Sequence, residues 1–268
     1  MLSVIVPWKD RPELEQTLAW NTARLPGVQW ILVNSGGDAD SLRRIVQSVG
    51  TSVTVVTLPI SQFNKALALN AGVSQSKGEQ LFFLDTDVTI AGRFVDHAVR
   101  RLQKERCYIT IARVRETDGS LIRPQSHVVR HRSLLEFSLQ NGKRIRLETS
   151  AHDLQAGHRS GPGLVLLRRA DFEAVQGMSS ELSGWGWEDN DLLARLQTLD
   201  GMARYRMGTV HHHSHGDDKR WLDGQSRSVS EARNYGSCLA RYMAGDLTGS
   251  LREDRMRWKG RLHVESMG

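Results

Sequence analysis

The sequence predicts an α/β fold in which a mainly parallel central sheet is flanked by helices. Three observations carry this expectation. Short apolar, β-branched runs alternate with helix-patterned segments over the first half of the chain. Turn residues separate them, and the last of these runs stops abruptly on acidic residues. Alternation of this kind is how a parallel sheet covers both of its faces.

Taken in order, residues 2–6 read as a β-branched strand closed by Pro7, and Pro12 suits the start of a helix in which Leu14 and Leu18 lie one turn apart. Residues 28–33 form the second expected strand, followed by the turn sequence Asn34-Ser35-Gly36-Gly37-Asp38 and a helix over 40–49. A third strand is expected over 52–58. Phe63, Ala66, Leu67 and Asn70 share one face of a helix from about 62 to 71, and 80–84 is a continuous apolar strand. The second half is less regular: a helix is expected over 133–140, a strand over 164–167 and a helix over 188–199. Gly161-Pro162-Gly163 and 211–218 read as loops, and the last fifty residues as helical. No repeat or linker divides the chain, so one domain over 1–218 with a helical extension over 219–268 is expected.

A chain of 268 residues with 39% hydrophobic and 25% charged residues can bury a core without staples and is not compositionally disordered. Two cysteines, Cys107 and Cys238, exclude a disulfide scaffold and any CxxC metal motif, and fit a reducing compartment. No apolar run approaches the ~20 residues that span a bilayer, and the opening residues lack a signal-peptide pattern. A cytoplasmic protein is the expectation. The formal charge of +6 is concentrated in residues 93–146, with 13 Lys/Arg against 5 Asp/Glu. Such a block could face nucleic acid, an anionic membrane surface or an acidic substrate, or is simply a solvated face.

Three clusters could carry chemistry. Asp85-Thr86-Asp87 follows a buried-looking strand, where open α/β sheets place their ligands, and offers hard oxygen ligands for a divalent cation bridging to phosphates. His211-His212-His213-Ser214-His215 supplies imidazoles, of which one could complete that site from across a cleft. In Gly184-Trp185-Gly186-Trp187-Glu188-Asp189-Asn190-Asp191, two indoles suit a sugar ring and lead into carboxylates able to act as general base. Acids in a first helical turn are also favoured by the helix dipole alone.

Together and in this order, these motifs resemble the GT-A glycosyltransferases, in particular the β-1,4-galactosyltransferase group and the bacterial chondroitin-polymerase type. Pro7-Trp8-Lys9-Asp10-Arg11 is similar to that group's Pro-Phe-Arg-Asn-Arg, and Phe63-Asn64-Lys65-Ala66 with Leu69-Asn70-Ala71-Gly72 to its Phe-Asn-Arg-Ala…Leu-Asn-Val-Gly. Asp85-Thr86-Asp87 stands for Asp-Val-Asp, Gly184–Asp191 for Gly-Trp-Gly-Gly-Glu-Asp-Asp-Asp, and His213-Ser214 for the metal-binding His-Ser. The resemblance implies a GT-A fold and an inverting, Mn²⁺- or Mg²⁺-dependent transfer from a UDP-sugar to a glycan or lipid-linked glycan. Asp87 and His213, with Asp85, would hold the metal. Pro7, Lys9, Arg11, Asn34, Phe63, Lys65 and Asp85 would bind the donor, Trp185 and Trp187 the acceptor. Asp189 would be the base, with Glu188 beside it.

Lys9 and Lys65 stand where the group has arginine, Asn34 where many relatives have an acidic uracil contact, and Trp187 where the group has glycine. The membrane anchor, stem and disulfides of the group's Golgi members are not in this sequence, which points to a bacterial-type cytoplasmic enzyme, peripheral at the inner membrane face through residues 93–146. A metal-dependent nucleotidyltransferase or phosphate-ester hydrolase could use the same acidic site but has no need of an aromatic acceptor platform. A non-catalytic nucleic-acid binder ranks lower, because the basic block holds few interleaved aromatics and no recognised module; no nucleic-acid partner is expected.

Overall fold

The computed structural model describes residues 1–119, 127–220, 222 and 224–268. The first half follows the expected alternation: β1 (Leu2–Trp8), α1 (Glu13–Arg24), β2 (Gln29–Ser35), α2 (Ala39–Val49), β3 (Val53–Leu58), α3 (Lys65–Gln75) and β4 (Gln80–Phe83). Then come β5 (Val88–Ala91), α4 (Phe94–Lys104), β6 (Cys107–Glu116), β7 (Arg130–Ser138), β8 (Arg144–Asp153), β9 (His158–Arg168), α5 (Arg169–Ala174), α6 (Glu188–Leu196) and β10 (Ala203–His212). The chain ends with α7 (Arg227–Met243), α8 (Leu251–Trp258) and β11 (His263–Met267).

One sheet runs through the molecule in the order β11-β3-β2-β1-β4-β9-β6-β10-β5, with the β7–β8 hairpin attached to β9. β3, β2, β1 and β4 are mutually parallel, as are β6 and β10. β9 runs antiparallel to both of its path neighbours, and β5 and β11 close the edges antiparallel. Because both faces of the inner strands are covered, β1 is buried at every position. One apolar cluster packs α1, α2 and α4 against one face through Leu14, Leu42 and Leu102; the other packs α3, α5, α6 and α8 through Leu67, Phe172, Leu193 and Trp258. Local signals set the helix ends. Asp38 caps α2 by accepting from the Ser41 amide at 2.6 Å, and Gly50 closes it in the left-handed region.

Three expectations change. Residues 133–140 are the edge strand β7 and not a helix. Leu135 and Phe137 alternate inward with Ile145 and Leu147 on β8, but a register shift at Ser133/Leu134 breaks the period of two that would have revealed a strand. Gly161-Pro162-Gly163 lies inside β9 and not in a loop, at its irregular pairing with β6, where an unpaired proline nitrogen is tolerated. The final residues add a strand to the sheet, Val264 opposite Val56, beyond two helices; five half-exposed residues are too few to display a strand period. The basic block is divided among α4, β6 and the β7–β8 hairpin. Arg106 pairs with Asp171, Arg130 with Asp153 and Arg132 with Glu148. No helix among the described residues is long and apolar enough to cross a membrane.

Candidate active site

A cleft of about 680 Å³ opens at the carboxyl ends of β1 and β4. It is lined by Pro7, Lys9, Arg11, Phe63, Lys65, Asp85, Asp87, Trp185, Trp187, Glu188 and Asp189 among others. Nearly every residue singled out in the sequence therefore meets in one place, although more than 180 positions separate the first from the last. Asn34 does not line it. That side chain is buried and closes the turn after β2, accepting from the Gly37 amide at 2.7 Å and donating to the Gly37 carbonyl at 3.0 Å.

One wall is assembled from the N-terminal strands. The buried Trp8 indole donates to the Arg11 carbonyl at 2.9 Å, folding the chain so that the Arg11 guanidinium reaches Asp87 Oδ2 at 2.6 Å. Asn64 caps α3 through the Leu67 amide, which makes Lys65 the first helical residue and points it into the cleft. The acidic turn after β4 is held from below by α1: Thr17 Oγ1 donates to the Thr86 carbonyl, and Asn21 bonds Val88 and Ile90. The two aspartates of that turn part company. Asp85 faces Lys65 Nζ at 3.0 Å, whereas Asp87 is buried against histidines.

Those histidines are His212 and His215. Their ligand atoms and an Asp87 oxygen all lie within 4.8 Å of one another. His213, the sequence's choice, instead donates its backbone amide to the Asp87 carbonyl at 2.8 Å. The reason is strand alternation: Val210 and His212 share the buried face of β10, His211 is turned out, and the chain then leaves the strand and returns His215 to the cleft. Val210 buried two positions before His212 is the signal that an alternation argument could have used.

The bonding of these rings fits a cation. His212 Nδ1 lies 2.6 Å from Glu116 Oε2, and His215 Nδ1 lies 2.9 Å from the Gly216 carbonyl. Both oxygens accept, so each Nδ1 carries its hydrogen, and Nε2 is the atom each ring turns toward Asp87, at 3.6 and 3.3 Å; when protonated it donates to the carboxylate, and once a cation displaces that proton it offers a lone pair. Asp87 Oδ1 is buried with no hydrogen-bond partner among the described residues. Lone pairs facing one another in a buried position suit a divalent cation. Burial alone would raise Asp87, but His215, His212 and Arg11 together hold its carboxyl far below the usual carboxylate range. Glu116 is fixed from behind by Arg159 at 2.9 Å and Ser214 at 3.1 Å; against the effect of burial, His212 and Arg159 hold it at about 2.

The opposite wall carries the second acidic pair. Lys65 Nζ reaches Asp189 Oδ2 at 3.1 Å and so bridges Asp85 to Asp189. Burial pushes Glu188 up to about 8, assisted by the adjacent Asp189 charge and opposed by Lys65. Asp189 is also raised by burial and by Asp85, with Lys65 acting against them, while Lys65 itself is held charged by these carboxylates despite its burial. Near neutrality the arrangement favours a proton on Glu188 and a carboxylate at Asp189, the member in contact with the ammonium. Gly163 lies directly beneath: a Cβ there would stand 2.1 Å from Asp189 Oδ2 and 2.9 Å from Lys65 Nζ. Sequence reasoning missed Gly163, Glu116 and Arg159, none of which sits in a recognisable motif. Before α6, Trp187 occupies the left-handed region at φ 72° and tilts against Tyr235, with ring centroids 4.4 Å apart. The Arg227 guanidinium lies 4.0 Å from the Trp185 ring centroid.

The fold is of the GT-A class, a sheet whose strand ends present an acidic turn, a histidine pair and a second acidic pair to a single cleft. The family model for glycosyl transferase family 2 matches residues 3–173, and the chain belongs to that family. A second model, described as the N-terminal domain of galactosyltransferase, matches residues 146–216, which contain both the Gly184–Asp191 motif and the histidines.

Among solved structures, the chain is similar to GalNAc-T7 with UDP, GalNAc and Mn²⁺, at TM-score 0.59 and 16% identity over 90% of this chain and 47% of that one. It is also similar to the mannosyltransferase PcManGT from Pyrobaculum calidifontis in complex with GDP-Man and Mn²⁺, at TM-score 0.57 and 16% identity over 91% and 64%. Staphylococcus aureus TarS 1–349 gives TM-score 0.52 and 14% identity over 79% and 60%. The chain thus spans about half to two-thirds of the length of these proteins, and the likeness establishes the fold. No curated protein matches the chain.

Proposed function

We propose that this protein is a metal-dependent, inverting glycosyltransferase that moves a sugar from a UDP-sugar to a hydroxyl of a glycan or glycolipid acceptor. The observation that carries this reading is the meeting, in one cleft, of the Asp87/His212/His215 cluster with the Glu188/Asp189 pair. The UDP and Mn²⁺ in the GalNAc-T7 structure and the Mn²⁺ in the mannosyltransferase structure support the choice of cofactor and of donor class.

Asp87, His212 and His215 would hold Mn²⁺ or Mg²⁺, with Glu116 fixing the tautomer of His212. The cation supplies Lewis-acid stabilisation of the negative charge that gathers on the departing diphosphate. Pro7, Lys9, Arg11 and Phe63 line the donor side of the cleft, where Arg11 also balances the charge of Asp87. Lys65 has two tasks: it keeps Asp189 ionised in a site whose burial favours the acid, and it holds Asp85 at the donor side. Trp185 and Trp187 would orient the acceptor ring. Asp189 Oδ2 then takes the proton of the acceptor hydroxyl as its oxygen attacks the anomeric carbon from the face opposite the departing diphosphate, which inverts that centre. Glu188, holding its own proton, leaves Asp189 as the single basic oxygen beside the acceptor.

The test is a panel of UDP-sugars assayed with Mn²⁺ for transfer and hydrolysis. One donor is expected to be turned over with release of UDP, activity is lost to EDTA and recovered with Mn²⁺, and Asp189→Ala loses transfer while still binding UDP. Release of pyrophosphate, or turnover indifferent to chelation, would contradict the reading.

A further inference from the structure

The C-terminal helix α7 makes a set of contacts with the acceptor-side loop that a packed surface helix does not require. Ser230 and Asn234 lie one helical turn apart on one face of α7 and are almost completely buried, at 0% and 2% exposure. The Trp185 amide donates to Ser230 Oγ at 2.8 Å, and Ser230 Oγ donates back to the Trp185 carbonyl at 3.0 Å. Asn234 Nδ2 donates to the carbonyls of Ser183 at 3.0 Å and Gly186 at 2.8 Å. Arg233 adds a fifth bond, from Nη2 to the Ser183 carbonyl at 2.7 Å. Both side chains of this face are thus spent on the backbone of residues 183–186.

The glycines of the loop answer to the same helix. Gly184 and Gly186 have φ of 75° and 96°, and a Cβ on Gly184 would stand 2.6 Å from Ser230 Oγ, one on Gly186 3.2 Å from Glu231 Cβ. Trp187 follows at φ 72°, a conformation that strains a bulky L-residue and persists only where the surroundings over-determine it. Tyr235, one residue after Asn234, supplies the ring against which Trp187 tilts.

We infer that α7 is the scaffold of the acceptor loop, and that Ser230 and Asn234 are positioning residues which fix Trp185 and Trp187 for the acceptor. This rests on the acceptor role proposed above for the two tryptophans. The base is anchored separately. Asp191, on α6, is bound by Arg195 at 2.8 Å, Ser179 at 2.8 Å and, from the last turn of α7, Tyr242 at 2.9 Å, none of them a bond made by Ser230 or Asn234. Loosening the loop therefore alters acceptor capture while leaving Asp189 in place.

The experiment compares wild type with Ser230→Ala, Asn234→Ala and the double variant in the full chain. With the active UDP-sugar and a disaccharide acceptor chosen on wild-type protein, each single variant raises the acceptor KM about tenfold, the factor for about 1.4 kcal/mol, and the double variant raises it further. kcat at saturating acceptor, and UDP affinity with Mn²⁺, change by less than about twofold on the same scale. Hydrogen exchange at the Trp185 amide quickens in Ser230→Ala. Arg233→Ala, an exposed side chain, gives the weakest form of the same KM effect and guards against a misfolded double variant. An unchanged acceptor KM in the double variant, or a fall in UDP affinity parallel to the rise in KM, would overturn the inference. Wild-type protein that transfers no sugar would overturn the functional reading instead, and exchange across 183–187 would then decide on its own whether α7 holds the loop.

Discussion

The wall of the cleft that carries Asp87 and the wall that carries Asp189 are held by different means. The first is built where parallel strands end: Asp85 and Asp87 follow β4, Lys65 begins α3, and the supporting bonds from Thr17 and Asn21 come from the neighbouring helix α1. The second is an irregular glycine-rich loop with positive φ angles, closed by a helix from the far end of the chain. Strand ends give the metal side fixed geometry, in which His212 inherits its position from a pleat. The acceptor side acquires its shape from side chains that can be exchanged without touching the sheet. On the function proposed above, one wall would serve the task common to nucleotide-sugar chemistry and the other the recognition of a particular acceptor.

The difference can be tested first at Asp189. Asp189→Ala removes the proposed base, and transfer should fall by about 10²–10⁴-fold, the range of general base catalysis. Mn²⁺ and UDP binding, measured calorimetrically, should be retained, because the donor wall does not depend on it. Gly163→Ala comes next. Its Cβ would intrude to within 2.1 Å of Asp189 Oδ2, so the carboxylate must leave Lys65. A displacement of this order lowers kcat by about 10²-fold, as for other small misplacements of a reacting group. A Gly163→Ala enzyme with normal kcat would mean that Asp189 is not held where the reaction needs it.

On the metal side, Glu116→Gln leaves His212 and His215 in the cleft but replaces the carboxylate that fixes Nδ1–H with an amide that can donate as well as accept. Loss of such an orienting partner costs about 10–100-fold in metal affinity. Titration of Mn²⁺ by electron paramagnetic resonance would measure it directly, without reliance on turnover. An affinity equal to wild type would remove Glu116 from the site and weaken the assignment of His212.

The two walls also differ in how far they could be read from the sequence. The elements 2–8, 29–35 and 80–83 were legible because buried parallel strands are uninterrupted apolar runs. Asp85 and Asp87 were legible because they break such a run. Glu188 and Asp189 were found through the flanking Gly-Trp pattern, and the burial that raises Glu188 comes from elements remote in sequence. Among four nearby histidines, His212 and His215 could be told from His213 only by the phase of β10, which its neighbours Thr209 and His211 do little to advertise. Helix 133–140 failed because a bulge imitated helical spacing in an edge strand. Gly163 and α7 were illegible for a more general reason: their partners, Asp189 for the one and Ser183 to Gly186 for the other, lie 26 or more residues away, and nothing local marks them. Asn34 was read as a ligand contact and is a turn-closing residue, for which the Gly36-Gly37 that follows was the available sign.

The smallest expected effect concerns the stability of the acceptor wall and its dependence on pH. Glu188 is raised from the ordinary 4.5 to about 8 by burial and by Asp189, against Lys65 and with a further contribution from Asp85. The folded protein therefore binds that proton more tightly than the unfolded chain does. The stabilisation is complete below pH 4.5 and is lost as pH rises through 8. Glu188→Gln keeps the shape and the polar atoms but has no proton to lose, so its stability should not decline in that window on this account. The contribution of Asp87 is common to both proteins and cancels in the difference. Denaturant midpoints of the metal-free wild type and of Glu188→Gln, followed from pH 4.5 to 8.5, should diverge in favour of the variant toward the alkaline end. Parallel curves would mean that Glu188 is ionised throughout, and that Lys65 neutralises both carboxylates of the wall rather than Asp189 alone.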